Sequence, residues 1–320
     1  MINKLIIAKS ESNNPYLNLA YEEYLFNTLP EDAFILYLWQ NDNTVVIGLN
    51  QNALRECDIR ALKESGGYLA RRKTGGGAVY HDKNNLNFTY IAHNADYDVE
   101  RQYNIIRKAL KGFGIHTGLS GRNDLTAADG RKFSGSAFLK REEKCLHHGT
   151  LLLDTDTEKM LKYLTVNREK LQSKGVLSVR SRVVNLKEIN NAITTEKVKE
   201  ALIDAAKDII KAKIIEFSDV KKADRIVLKR LETEYRNEKF IMGDRLKFQA
   251  VSEKRFQWGT ARVEFNIEKG IIESLKVYTD SLDTTLSARI ESALYRVNLE
   301  KEDFEDKAVD DIYKLIKYGG

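Results

Sequence analysis

Twelve consecutive residues, Arg71-Arg72-Lys73-Thr74-Gly75-Gly76-Gly77-Ala78-Val79-Tyr80-His81-Asp82, carry the least ordinary chemistry in this chain of 320 residues. Three successive glycines are poor strand material, because each loses more backbone entropy on ordering than any other residue. What they offer is close approach to the backbone and N–H groups that can turn toward an anion, with the charges of Arg71, Arg72 and Lys73 beside them. The spacing fits neither the dinucleotide fingerprint nor the Walker loop. A glycine triplet alone is more often a flexible turn.

The second constellation is Gly121-Arg122-Asn123-Asp124 followed by Arg131-Lys132-Phe133-Ser134-Gly135-Ser136-Ala137. Strand alternation predicts Lys132, Ser134 and Ser136 on one face and Phe133 on the other, leaving a cavity beside the ammonium group. Such a lysine can bridge two anionic oxygens and stabilise charge that develops between them. All five histidines, His81, His93, His116, His147 and His148, fall in the middle of the chain. In a strand the neighbours His147 and His148 point to opposite faces, so one can line a pocket but the pair cannot share a metal. Cys57 and Cys145 are too few and too far apart for a disulfide framework or a Cys-rich zinc site, which favours a reducing cytoplasm. A lone Cys145 reads as a small buried hydrophobe more readily than as a nucleophile.

Hydrophobic and β-branched patterning places the elements that hold these residues. Strands are expected at residues 2–8, 34–39, 44–47, 68–71, 78–81, 86–92 and 146–153, with a hairpin turning at Asp129-Gly130 between residues 124–127 and 131–138. Asn14-Pro15 opens a helix whose stripe is Leu17, Ala20, Tyr21, Tyr24 and Leu25; further helices are expected at 53–63, 99–111, 196–211 and 223–235. Strand patterning then restarts at 255–267 and 271–278, followed by helices near 286–295 and 308–317, which marks a small second domain from about residue 250.

Charge divides the chain in the same place. Residues 251–320 hold 11 basic and 14 acidic residues, leaving +8 of the formal net +5 to residues 1–250. The excess is sharpest over 159–187, where Lys159, Lys162, Arg168, Lys170, Lys174, Arg180, Arg182 and Lys187 face only Glu169. Such a run is either a solvated face or the seat of an anionic partner. With 42% hydrophobic residues the chain is globular, and no membrane span or export signal is visible.

The two constellations together resemble the lipoate-protein ligase family. The likeness runs in the family's order through Arg71–Asp82, Asn84–Thr89, Gly121–Leu125, Arg131–Ala137, His147–Leu153 and Lys174–Leu186, most of the first 190 residues. The resemblance implies an α+β protein: a catalytic domain over residues 1–248 with the mixed, largely antiparallel sheet of biotin ligases and class II synthetases, flanked by helices, and a small α+β accessory domain over 249–320, as in the long members of the family. It implies two half-reactions, in which lipoate and ATP give lipoyl-adenylate and pyrophosphate and a lysine of an apo lipoyl domain then takes the acyl group.

At matching positions, Arg72, Gly75, Gly76, Gly77, Ala78, Val79, Tyr80, Asn85 and Asp124 are expected around ATP and the adenylate. Lys132 is the central catalytic lysine touching both carboxylate and α-phosphate, and Gly76, Gly77 and His148 join it around lipoate. A loop within 165–183, including Ser178, Val179 and Arg180, is expected over the adenylate, with Asp124 near the magnesium of MgATP and no permanently bound cofactor. Leu17, Tyr37, Val79 and the strand Leu151–Leu153 are candidates for the slot that takes the acyl tail. Expected partners are lipoate and the apo lipoyl domains of 2-oxoacid dehydrogenase complexes and the glycine cleavage H protein, with neither nucleic acid nor membrane. The rival readings are an ATP-independent lipoyl or octanoyl transferase working through a cysteine thioester, a biotin ligase, and a basic nucleic-acid-binding protein. No cysteine lies between Cys57 and Lys132, where the transferase needs one, and no nucleic-acid motif accompanies the basic run.

Overall fold

The structure is a computed structural model that describes residues 2–121, 123–165, 183–217, 224–243, 248–300 and 303–318. The expected loop residues Ser178, Val179 and Arg180, with most of the basic run, lie outside these described residues.

An eight-stranded sheet forms the large body, built from β1 (Lys4–Lys9), β2 (Ala33–Trp39), β6 (Asn85–His93), β7 (Thr117–Ser120), β8 (Asp124–Ala127), β9 (Lys132–Arg141), β10 (Lys144–Leu152) and β11 (Lys213–Phe217). Its order is β11-β1-β2-β6-β10-β9-β8-β7. Among the described residues of this sheet only β1 pairs in parallel, with β11 and β2, and the other pairings are antiparallel, as expected of a mixed, largely antiparallel sheet. A second sheet of three short strands, β4 (Tyr68–Arg71), β3 (Thr44–Ile47) and β5 (Val79–His81), holds the glycine loop between β4 and β5.

Alternation gives the large sheet two different faces. Phe34, Leu36, Leu38, Phe88, Tyr90, Leu151 and Phe133 join α4 (Val99–Lys111) and α7 (Thr195–Ile210) in one core. On the other face Ile35, Tyr37, Trp39, Ile91 and Leu146 pack against α1 (Pro15–Asn27) and α8 (Arg225–Arg236). The helices start where local chemistry satisfies their free N–H groups: the Asn14 side chain accepts from Tyr16 N and Leu17 N ahead of Pro15, and the Asp98 side chain accepts from Arg101 N.

The helix expected over 53–63 is two, α2 (Ala53–Glu56) and α3 (Ile59–Glu64). Cys57 is extended and bridges to Leu164, and Asp58 caps a fresh start. Short connecting elements α5 (Thr157–Tyr163), α6 (Leu186–Ile189) and α9 (Glu238–Met242) complete the large body. The edge strands β7 and β11 carry too little pattern to be read from sequence, being short and largely exposed. The strand expected over 255–267 is a hairpin of β12 (Ala250–Phe256) and β13 (Gly259–Glu268). With β14 (Ile271–Thr279), α10 (Leu286–Leu294) and α11 (Lys307–Tyr318) it encloses a separate core around Val263, Ile272, Ile290 and Ile312. No helix among the described residues is long and apolar enough to cross a membrane.

Candidate active site

A cavity lies between the α1 face of the large sheet and the glycine loop. Its walls include Leu19, Trp39, Val46, Val79, Ala137 and His148, with Arg72, Gly76 and Gly77 on the loop side and Lys132, Gly135 and Thr150 at one end. The floor follows from strand register: Trp39, Asn87 and Thr150 lie opposite one another across β2, β6 and β10, and Gly135 N donates to Thr150 Oγ1 at 3.4 Å.

Lys132 stands at this end because the hairpin of β8 and β9 is bulged. Asp124 opposes Gly135 and Leu125 opposes Ser134, but Thr126 opposes Lys132, so β9 has one extra residue. This changes the simple alternation: Lys132 shares its face with Gly135 and Ala137, whereas Ser134 and Ser136 lie in register with Phe133 on the α4 side, Ser136 near Tyr103 though still lining the cavity. The cavity beside the ammonium is nonetheless there, because Gly135 has no side chain. A Cβ at Gly135 would come within 2.8 Å of Lys132 Nζ, which folds over it to meet Asp124 Oδ1 at 2.7 Å.

The charges of the arginine pair are turned inward. Arg71 donates to the carbonyls of Gly48, Leu49, Gln51, Phe240 and Ile241, tying β4 to the second sheet's loops. Arg72 donates to Thr74 Oγ1 at 2.9 Å and to the carbonyls of Gly75, Gly77 and Val46 at 2.7, 2.8 and 3.2 Å, so it shapes the glycine loop from inside. Burial lowers both guanidinium pKa values to about 10, which leaves each fully charged at neutral pH. Lys73 pairs with Glu23 at 2.7 Å.

Glycine is required where this loop is crowded. Gly76 has φ +87°. A Cβ on Gly75 would meet Ser281 O at 2.4 Å, and one on Gly48 would meet Gly76 O at 2.1 Å. The small body's turn seals that side, with Gly76 N donating to Ser281 O and Thr279 N to Asn50 O.

Opposite Lys132 the wall is polar and internally satisfied. His148 Nδ1 lies 2.9 Å from Glu22 Oε1 and its Nε2 lies 2.9 Å from Thr74 Oγ1. Glu22 Oε1 also accepts from Thr89 Oγ1, which in turn accepts from Trp39 Nε1. A carboxylate on Nδ1 favours a ring hydrogen at that atom. His147, as alternation requires, faces the other way among Phe88, Tyr90, Tyr103 and Phe138, and burial lowers its pKa to about 3.

Of the expected site residues, Arg72, Gly76, Gly77, Ala78, Val79, Lys132 and His148 line one cavity. Asp124 reaches it through Lys132. Gly75 faces the Ser281 turn, the Tyr80 ring packs away from the cavity against Tyr163, and Asn85 stands behind Asn87. Among the tail-slot candidates only Val79 lines the cavity; Leu151 and Leu153 belong to the α4-side core. Leu19, Trp39 and Val46 take their place; sequence gives His81, inside the glycine-loop run, no role of its own, and does not single out Glu22 or Gly48. The signal for Glu22 is two adjacent acids, Glu22 and Glu23, in a helix otherwise mostly apolar.

Neither cysteine lines this cavity. Cys145 Sγ donates to Asn94 Oδ1 at 2.9 Å, and burial raises its pKa; burial pushes Cys57 up to about 12. Both therefore stay as thiols at neutral pH.

Comparison with known proteins agrees with this geometry. Residues 14–207 match the lipoyl protein ligase A/B catalytic domain, and residues 245–315 match the bacterial lipoate protein ligase C-terminus. Over 311 residues the chain is 37% identical to lipoate-protein ligase A of Psychrobacter cryohalolentis, covering 95% of this chain and 91% of that one. P. falciparum LipL1, solved in complex with lipoate, superposes with a TM-score of 0.82 at 30% identity, covering 98% of both chains. A lipoate-protein ligase A bound with ATP aligns over 76% of this chain and 99% of its own, at 27% identity and a TM-score of 0.66. The chain belongs to the lipoate-protein ligase family.

Proposed function

We propose that the protein joins free lipoate to a specific lysine of an apo lipoyl domain, through a lipoyl-adenylate and with release of pyrophosphate. The observation that carries this reading is the position of Lys132: an ammonium group at one end of a largely apolar cavity whose lining also includes His148 of the polar network and the glycine loop. In the first step a carboxylate oxygen attacks the α-phosphorus of ATP, forming a C–O–P anhydride as pyrophosphate leaves. Two anions must meet, and a compact cation between them lowers the barrier by neutralising charge that accumulates at phosphorus. Lys132 can turn from Asp124 to that position because Gly135 leaves room for its swing. The backbone of Gly76, Gly77, Ala78 and Val79, shaped by Arg72, would lie along the nucleotide and the acyl carbonyl, with Gly75, Tyr80 and Asn85 behind it. In the second step the acceptor amine attacks the acyl carbon, the amide forms and AMP departs.

Among the described residues no three His, Cys, Asp or Glu side chains group as a metal site. Asp124 would be the protein contact for magnesium arriving on the phosphates of ATP. In this reading residues 1–248 catalyse, residues 249–320 serve as the accessory domain, and the acceptors are lipoyl domains of 2-oxoacid dehydrogenase complexes and the glycine cleavage H protein, in the cytoplasm. A solved relative from Thermoplasma acidophilum is described with its E2 lipoyl domain, at 28% identity and a TM-score of 0.68, which supports that class of acceptor. The thioester-transferase alternative lacks a thiol at the cavity.

The test is to incubate the protein with lipoate and MgATP and no acceptor. Pyrophosphate release with one bound lipoyl-adenylate is expected; ATP left intact in the presence of lipoate rejects the reading.

A further inference from the structure

His81 on β5 lines the cavity and is 3% exposed, yet among the described residues its Nε2 has no hydrogen-bond partner. The protonation of that atom can be worked out from the surrounding network. Asn18 Nδ2 donates to the backbone carbonyls of Ser12 at 3.0 Å and Gln40 at 2.8 Å, and because a carbonyl only accepts, this fixes which end of Asn18 is nitrogen. The same NH2, sharing its two hydrogens among three acceptors, also faces Asn41 Oδ1 at 2.9 Å, so the other end of Asn41, 3.1 Å from His81 Nδ1, is its NH2. His81 Nδ1 is then the acceptor, and Nε2 carries the hydrogen. Asn87 Nδ2, 3.5 Å from the same Nδ1, acts in the same sense, itself oriented by Asn85. Burial, with Arg72 and His148 nearby, lowers the His81 pKa to about 3, so the ring stays neutral. The result is a buried, neutral, single-tautomer N–H donor that no described residue satisfies, an arrangement that costs stability unless something else accepts from it.

Its place in the cavity says which part of a ligand meets it. Lys132 marks the carboxyl end, over β9; His81 stands edge-on to Trp39, ring centroids 6.1 Å apart, over β6 and β2. From β9 to β2 is three strand spacings, about 14 Å. An acid with its carboxylate at the Lys132 end of this cavity therefore runs its tail toward Trp39 and His81. In lipoate that end is a dithiolane ring whose sulfurs are weak hydrogen-bond acceptors; in octanoate it is a methyl group.

We propose that His81 is a specificity-determining residue, whose Nε2–H donates to an acceptor at the tail end of the acyl substrate and so favours a sulfur-bearing tail over a plain alkyl chain of similar length. This rests on the lipoate reading of the cavity. An alkyl tail would leave the N–H both desolvated and unpaired, which is where discrimination comes from.

The experiment is calorimetric binding of lipoate, 6-thiaoctanoate and octanoate to the full chain without ATP, for the wild type, His81→Phe and His81→Gln. The wild type is expected to bind lipoate about tenfold more tightly than octanoate, with the thioether between them. His81→Phe is expected to bring the lipoate-to-octanoate ratio within about twofold, while His81→Gln, which keeps an N–H donor, retains most of it. Equal affinities of the three acids for the wild type would overturn the proposal, as would an unchanged ratio in His81→Phe. The wild-type series decides even if His81→Phe fails to fold. Lipoate-selective binding without any pyrophosphate release on adding MgATP would sink the ligase reading and leave the role of His81 standing; no binding of any acid would sink the role of His81.

Discussion

His147 and His148 are neighbours on one strand, and they belong to different worlds. His147 sits among four aromatic rings and Gln102 on the α4 side; His148 faces Glu22 and Thr74 at the cavity wall. The contrast holds along the whole sheet. The α4 face is Phe88, Tyr90, Leu151 and Phe133, and the cavity face of the same strands is Asn87, Thr89, Thr150, Gly135 and Lys132. Alternation lets one strand supply core to one side and chemistry to the other, so that stability and reactivity can be altered separately.

The sharpest way to break this separation uses adjacent residues. Lys132→Ala is expected to lower lipoate-dependent pyrophosphate release by about a thousandfold or more, with thermal unfolding nearly unchanged because the side chain is half exposed. Phe133→Ala, one residue on, is expected to cost about 3–5 kcal/mol of stability in denaturant titration. Activity per folded molecule should be largely retained. If Lys132→Ala unfolds the protein, or Phe133→Ala abolishes turnover in a stable one, the two faces are not separable. Gly135→Ala probes the boundary: its Cβ would crowd only the end of the Lys132 side chain, so activity should fall about tenfold while the melting temperature stays within a few degrees.

The histidines supply a pH version of the same test. Those at positions 81 and 147 have folded pKa values lowered from 6.5 to about 3, so below 6.5 the unfolded chain takes up protons that the folded chain refuses. Stability is therefore full above pH 6.5 and falls as pH drops from there toward 3, each histidine adding about 1.4 kcal/mol per pH unit to the slope. His147→Leu should remove one such contribution, read as a shallower stability profile between pH 6 and 4 than in the wild type. An unchanged profile would mean that His147 is not held neutral. The smallest effect belongs to Cys145→Ser, expected to leave ligation within about twofold because the thiol only donates to Asn94. Loss of ligation in that variant at normal stability would revive the thioester route.

Much of the site was legible before any coordinates, and the reason is chemical. A glycine triplet next to two arginines, and a lysine followed by small residues after a turn, are residue types whose cost in a fold demands a use. The opposite facing of His147 and His148 needed only strand periodicity. What could not be read depended on partners distant in sequence. The bulge that moves Ser134 and Ser136 to the α4 face appears only in the register of β9 against β8. Leu151 and Leu153 have the right character for an apolar slot, but their face is fixed by pairing with β6. The inward turning of Arg71 likewise depends on carbonyls at Phe240 and Ile241, far along the chain. The break at Cys57 depends on a bridge to Leu164.

The central claim is that this cavity activates a carboxylate with ATP and delivers it to a protein lysine. Its most direct test is the mass of an apo lipoyl domain after incubation with the protein and lipoate, with and without MgATP. The account predicts one added lipoyl group per domain, only when ATP is present and with one pyrophosphate released per modification. An unchanged domain mass in the presence of MgATP would contradict it.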